Sequence, residues 1–324
     1  MKKTAKLIIS IFLTLLFVLY IAFKIDWIKF VSIIQDLNYV MLIFAATVYF
    51  LCYYLRALRF KLLLADPVVK TSQLLGVSIL HNFYNRVIPA RLGDFSLIYL
   101  LKRVRRTSLA SGINVFIFVK LYDLLISVFL LSLSYTVLYK LNLISIGLWI
   151  VTAILLFCAL KPSTFLYLFR RVLNKISMRK IFKTIDEKVG VLIGHSKEVE
   201  TNQLRIYLFF TSLGIWSFIF VFFYLLFFSL NQKYEMWDTL FATTLANFSW
   251  VLPINGVGGF GTMEVSMAFA FSMRGYSFQD LLVCAFYINV VVFILTTLFA
   301  IVPYFKILRK ENTNEINHSN SVPE

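Results

Sequence analysis

Acidic residues, cysteines and histidines are all scarce in this chain, and each scarcity removes a class of chemistry. The three cysteines, Cys52, Cys158 and Cys284, lie far apart inside apolar runs. Neither a disulfide framework nor a zinc site is expected from them, and they read as small core residues. His195 and His318 stand in polar regions with no partner at metal spacing. His81 sits in an apolar arm beside Asn82 and Asn85, where a hydrogen-bonded interior role suits it better than a metal. The glycine run Gly256-Val257-Gly258-Gly259-Phe260-Gly261 lacks GxGxxG spacing in a βαβ context, and no Walker lysine follows it. A nucleotide loop is excluded, and no cofactor is expected. Alternating polar and apolar residues are also missing, which argues against a β-barrel.

What the chain has in excess is apolar length. Of its 324 residues 60% are hydrophobic, and the mean hydropathy is +0.81. A soluble domain is nearer half apolar. The apolar residues form runs such as Leu7–Phe23, Val40–Leu55, Ile144–Leu160, Ile206–Leu230 and Leu281–Val302. Runs of about 17–25 residues are what a helix needs to cross about 30 Å of hydrocarbon. The first follows Met1-Lys2-Lys3 but ends in Phe23-Lys24-Ile25-Asp26-Trp27, with no small-residue cleavage site, and reads as a retained span. An all-α polytopic membrane protein is expected, with a single membrane domain over 1–310 and a polar, disordered cytoplasmic tail over 311–324.

The net charge of +16 reports orientation. Of the 32 basic residues, 23 cluster in Lys2–Lys6, Arg56–Lys70, Lys102–Arg106, Lys161–Lys197 and Lys306–Lys310. The intervening loops hold five: Lys24, Lys29, Lys140, Lys233 and Arg274. This split is the positive-inside bias. It predicts a cytoplasmic-membrane protein with both termini in the cytoplasm, and no affinity for nucleic acid. Within the long cytoplasmic loop, about 161–203, Phe165, Phe169, Val172 and Ile176 recur at helical spacing opposite Arg170, Arg171, Lys175 and Arg179. Such a helix lies on an anionic leaflet or packs on the bundle. Trp27, Tyr39, Tyr139, Trp237 and Tyr304 stand near span ends as interface anchors.

Two apolar stretches are broken in the middle. The first, about 72–101, is interrupted from Arg86 through Pro89, Arg91 and Gly93 to Asp94. The second, about 237–273, is interrupted from Pro253 through Asn255, Gly258, Gly259 and Gly261 to Glu264. A residue before proline is pushed out of helical geometry, and each glycine costs a helix about 1 kcal/mol. Non-helical backbone at membrane depth survives only where protein or water satisfies it. The arms after the breaks are too short to span, so both stretches are predicted to be re-entrant hairpins. With about six full spans, the two halves then run span–hairpin–span in opposite senses, the inverted-repeat plan of many transporters. Asn82-Phe83, Pro89, Gly93 and Asp94 are faintly echoed by Asn247-Phe248, Pro253, Gly261 and Glu264. Counting each hairpin as a span gives about eight.

Arg86, Arg91, Asp94, Lys120, Asp123 and Glu264 carry charge in apolar surroundings, so they must pair or line a wet cavity. Lys120 and Asp123 are three apart in a helix and can form a local ion pair. Arg91 and Asp94 flank the first break, where they can meet a headgroup or orient the hairpin. Glu264 opens the helix after the glycine loop, where it can cap the helix or face a ligand.

The motifs Asn82…Pro89-Ala90-Arg91-Leu92-Gly93-Asp94, Lys120-Leu121-Tyr122-Asp123 and Pro253…Gly258-Gly259-Phe260-Gly261-Thr262-Met263-Glu264 carry a family resemblance. The chain resembles, over roughly residues 5–308, the flippase-like integral membrane family typified by the transmembrane region of lysylphosphatidylglycerol synthase (multiple peptide resistance factor). The resemblance implies a bundle with re-entrant helices and lipid-binding cavities. In the best-known members it implies flipping of aminoacylated lipid, and in relatives without a synthase domain the handling of other lipids or lipid-linked sugars. The sequence departs from the pattern at Asp94, where glutamate is usual, and at Lys120, where arginine is usual. Ser96-Leu97 stand where a further arginine is common, and no soluble transferase domain follows Lys310.

The expected function is therefore a non-enzymatic lipid translocase. Arg91 and Arg86 would engage an anionic headgroup, and Asp94 and Glu264 would hold the hairpins or meet a cationic one. Asn82, Asn85, Asn247 and Asn255 would line the path, with Lys120 and Asp123 in the same set, and Pro89, Gly93, Pro253, Gly258, Gly259 and Gly261 would provide hinges or close backbone approach. Membrane lipids with anionic or lipid-linked headgroups are the expected partners. Two other readings stay open: an accessory subunit for a membrane glycosyltransferase or lipid-modifying enzyme, and an intramembrane transferase using Asp94, Asp123 or Glu264 as general base. Self-association stays open as well.

Overall fold

A computed structural model describes residues 23, 26–64, 68–88, 92–105, 109–164, 167, 201–249, 258 and 260–319, and no strand occurs among them. Of the expected first span Leu7–Phe23 only Phe23 is described, and most of the amphipathic loop at 161–203 lies outside the described residues. After a short helix α1 (Trp27–Gln35), five helices among the described residues are long and apolar enough to cross a membrane: α2 (Tyr39–Leu64), α5 (Leu109–Tyr139), α6 (Leu143–Leu160), α7 (Asn202–Ser229) and α10 (Phe278–Ser319). At about 1.5 Å per residue, the 18 residues of α6 reach about 27 Å and the 28 of α7 about 42 Å, against about 30 Å of hydrocarbon. The protein is thus a multi-pass helical membrane protein.

Helix starts follow local chemistry. Asn142 Oδ1 accepts from the Ser145 amide at 3.0 Å to open α6, and Thr201 Oγ1 accepts from the Leu204 amide at 3.3 Å to open α7. Helix α2 outruns its apolar run and continues to Leu64. Arg56-Ala57-Leu58-Arg59-Phe60-Lys61 are mostly strong helix formers, and no glycine or proline occurs before Pro67. Two arginines that the charge pattern assigns to a loop are therefore helical. Likewise α10 carries on to Ser319. No glycine or proline interrupts 304–322.

The helices stop at both predicted breaks. In the first, α3 (Thr71–Val87) is followed by a 3-10 turn (Leu92–Phe95) and α4 (Ser96–Arg105). In the second, α8 (Met236–Ser249) is followed by α9 (Thr262–Ser272). None of the four helices exceeds 17 residues, fewer than the ~20 of a full span. Residues at the two ends of the second segment meet. Arg274, just past α9, donates from Nε to Asp238 Oδ1 in the first turn of α8 at 2.7 Å, and the Tyr276 hydroxyl donates to Oδ2 at 2.9 Å.

In the bundle α2 runs against α7, α6 packs on α5, and α9 packs on α8 and α10. Each broken segment also packs on the last long helix of the other half: α3 on α10, and α8 on α5. A continuous core containing Tyr53, Phe60, Leu80, Tyr122, Phe222 and Phe271 joins them. The outer faces keep Ile43, Ile150, Ile154, Phe210, Ile294 and Leu298 exposed. Lipid solvates such a surface; water would not.

Candidate functional site

The first break is built on a close backbone approach. A Cβ at Gly93 would sit 2.6 Å from the Asn85 Cα and collide with the Tyr84 carbonyl oxygen, so only glycine lets the 3-10 turn lie against the last turn of α3. That contact delivers Asp94 to Asn85. Asp94 Oδ1 accepts from Asn85 Nδ2 at 3.0 Å and from Lys120 Nζ, on α5, at 2.6 Å. Behind them His81 Nε2 lies 3.3 Å from Asn85 Nδ2, and its Nδ1 lies 3.0 Å from Ser96 Oγ. The amide donates to Nε2, which leaves the ring proton on Nδ1 for the serine.

A second pair forms beside the first. Arg59, from α2, is 1% exposed. It grips Asp123 with both ends of its fork, Nη1 to Oδ1 at 2.6 Å and Nη2 to Oδ2 at 3.2 Å, and Nη1 also donates to Ser212 Oγ at 2.9 Å. Lys120 and Asp123 thus do not pair with each other, and the expected local ion pair is corrected. A planar guanidinium meets a carboxylate bidentately, which a single ammonium cannot match. Lys120 is left for Asp94.

A third network ties the two breaks together. Arg86 Nη1 donates to the Gly258 carbonyl at 3.1 Å and to Asn289 Oδ1, on α10, at 3.0 Å. Asn289 Nδ2 donates to Glu264 Oε1 at 2.8 Å, and Glu264 Oε2 accepts from the Gly261 amide at 2.8 Å. Gly258 and Gly261 have φ of +72° and +93°, a region glycine enters without a Cβ penalty. Glu264 is completely buried at the start of α9, where its charge also faces the helix dipole. Asn82 Nδ2 donates to the hydroxyls of Tyr53 at 2.7 Å and Tyr49 at 3.0 Å.

Between α2, α3, α5 and α7 these groups surround a cavity of about 460 Å³. Its lining includes Arg56, Arg59, Arg86, Lys120, Asp94 and Asp123, together with His81, Asn82, Asn85 and Asn247. Trp216, Ile219, Phe222, Phe223 and Phe248 also line it. Four cations face two carboxylates across the lining, so the cavity is net positive. It can hold a molecule that is anionic at one end and apolar at the other.

This arrangement accompanies a match to a known family: residues 6–300 fit the family described as the lysylphosphatidylglycerol synthase TM region. The chain belongs to that family. No curated protein and no solved structure shows significant similarity to the chain. Membership in the lysylphosphatidylglycerol synthase TM family makes it a membrane protein related to lipid handling.

The motif residues of this lysylphosphatidylglycerol synthase TM-type chain fall into three groups. Asn82, Asn85, Arg86, Asp94, Lys120 and Asp123 line the cavity. Gly261 and Glu264 are in the buried network beside it. Arg91, Asn255, Pro89, Pro253 and Gly259 lie outside the described residues. Arg56, Arg59, Ser212 and Asn289 join the site without having been singled out in the sequence. Asn289 carried a signal, as the one amide in the apolar run Leu281–Val302. The arginines were hidden among cytoplasmic charges. Among the described residues no group of three His, Cys, Asp or Glu could hold a metal.

Proposed function

We propose that the protein is a lipid translocase of the cytoplasmic membrane, whose cavity takes an anionic headgroup at its charged and amide side chains and an acyl or prenyl chain at its aromatic ones. The observation that carries this reading is the net-positive cavity of about 460 Å³, half polar and half apolar, within the membrane bundle. The two broken segments are read as re-entrant hairpins from opposite sides. Short helices, the meeting of Asp238 with Arg274, and the crossed packing of α3 on α10 and α8 on α5 support that reading. Basic clusters support cytoplasmic termini. With no nucleotide loop in the glycine run, movement is passive or ion-coupled.

The test is a reconstitution. Proteoliposomes carrying fluorescent phosphatidylglycerol are treated with membrane-impermeant dithionite, and the fraction quenched is followed. Wild-type protein is expected to expose the inner-leaflet lipid faster than protein-free vesicles, and Asp94→Asn protein is not. Equal rates in all three would sink the translocase reading. A covalently altered lipid recovered by mass spectrometry would favour an enzyme.

A further inference from the structure

The first break meets α5 through two consecutive residues. Asp94 Oδ1 accepts from Lys120 Nζ at 2.6 Å, and the ring of the next residue, Phe95, stacks on Phe116 with centroids 6.5 Å apart and planes at 20°. Phe116 and Lys120 are one turn apart on α5 and so share a face. Lys120 Nζ also stands 5.6 Å from the centroid of the Phe116 ring. Together the four side chains form one seam between the 3-10 turn and α5.

The seam faces two environments. Asp94, Phe116 and Lys120 line the cavity, whereas Phe95 is outside that lining and is 61% exposed. Phe95, Tyr99 and Arg103 follow at four-residue intervals along the turn and α4. Tyr99 is exposed as well, and its hydroxyl accepts from Arg103 Nη1 at 2.7 Å. A stripe that passes from phenylalanine through tyrosine to arginine marks a path from hydrocarbon toward headgroups. Lipid therefore lies against Phe95, and the seam separates it from the cavity.

Backbone on both flanks is pinned. A Cβ at Gly93 would collide with α3, and one at Gly112 of α5 would stand 3.1 Å from Ile98 Cγ2 of α4. The seam itself is held by side chains, and these have a second arrangement. Lys120 and Asp123 are three apart on α5, within reach of each other. Each Asp123 oxygen takes one bond from the Arg59 fork, and a carboxylate keeps lone pairs for a third donor. Lys120 can thus leave Asp94 without losing a carboxylate.

We propose that this seam is a side gate, through which the hydrocarbon chain of a lipid passes between the bilayer and the cavity. It opens when Lys120 swings from Asp94 to Asp123 and the rings of Phe95 and Phe116 part, with no shift of backbone. The assignment rests on the lipid reading of the cavity and adds where the chain enters.

The test is the labelling rate of a cysteine inside the cavity, in the full chain reconstituted in vesicles. Leu124→Cys supplies it at a lining position, and the three native cysteines are buried. Pyrene-maleimide, which partitions into the bilayer, is compared with a sulphonated maleimide that stays in water. Phe95→Ala and Lys120→Met, each removing one half of the seam, should raise the pyrene-maleimide rate several-fold and leave the sulphonated reagent unchanged. Gel filtration checks that both proteins keep their fold. An unchanged pyrene-maleimide rate in both variants overturns the gate. An equal rise with both reagents also overturns it, because the seam then opens to water. Faster labelling from the bilayer in vesicles where wild type moves no lipid supports the gate, and only the translocase reading falls.

Discussion

Arg86 donates to the carbonyl oxygen of Gly258, a residue 172 positions further along the chain, at 3.1 Å. One side chain thereby bridges the ends of the two broken segments, and Asn289 and Glu264 extend the bridge into α10 and α9. Arg86→Met removes that link and leaves a buried carboxylate facing no cation. The expected loss is on the order of 2 kcal/mol, seen as a lower melting temperature in detergent, together with loss of lipid movement. An unchanged melting temperature would show that the contact does not hold the breaks together.

Removing one partner of the Arg59–Asp123 pair leaves a charge in a site built for two. Arg59→Met and Asp123→Leu should each cost about 3 kcal/mol, and the double substitution should recover most of it. Chemical or thermal denaturation of the three variants checks the cycle.

The Lys120–Asp94 pair calls for a different outcome. Its side chains are 38% and 15% exposed, so solvent screens the attraction and stability should change by no more than about 1 kcal/mol in Lys120→Met. Transport should fall much further than stability, since both groups face the cavity. A parallel fall in melting temperature and transport would make the pair structural.

Gly93→Ala and Gly147→Ala separate a required glycine from a dispensable one. At Gly93 the added carbon overlaps backbone atoms of Tyr84 and Asn85, so the 3-10 turn must lift, at a cost of about 1–3 kcal/mol. At Gly147 nothing lies within 4 Å, and alanine there, in the second turn of α6, should be neutral or stabilising by up to about 1 kcal/mol. Melting curves of the two proteins decide it.

Orientation is accessible to labelling because Cys52, Cys158 and Cys284 are all buried. Cysteines placed at Lys140 or Lys233 should react with an impermeant maleimide on intact cells, and cysteines at Lys102 or Lys161 only after permeabilisation. The reverse pattern would invert the topology drawn from the basic clusters.

The amino-acid sequence by itself determined that this is a helical membrane protein, where its apolar helices lie and where two of them break. Those properties depend on short stretches of chain: apolar length, the steric effect of proline on its predecessor, and the freedom of glycine. Family membership was legible in the same stretches, since the motif residues sit at the breaks. Pairing was not legible. Lys120 and Asp123 looked like partners because they are one turn apart, yet each is claimed by a residue from another helix, Asp94 at the first break and Arg59 on α2. Arg59 itself looked like a cytoplasmic charge until α2 proved to continue through it to Leu64 and turn it into the core. Asn289 gained its place only when α10 packed against α3 and brought it to Arg86. Electrostatic partners are chosen by distance in space and by the fit of their hydrogen-bonding groups, and the chain order constrains neither once helices from both halves meet.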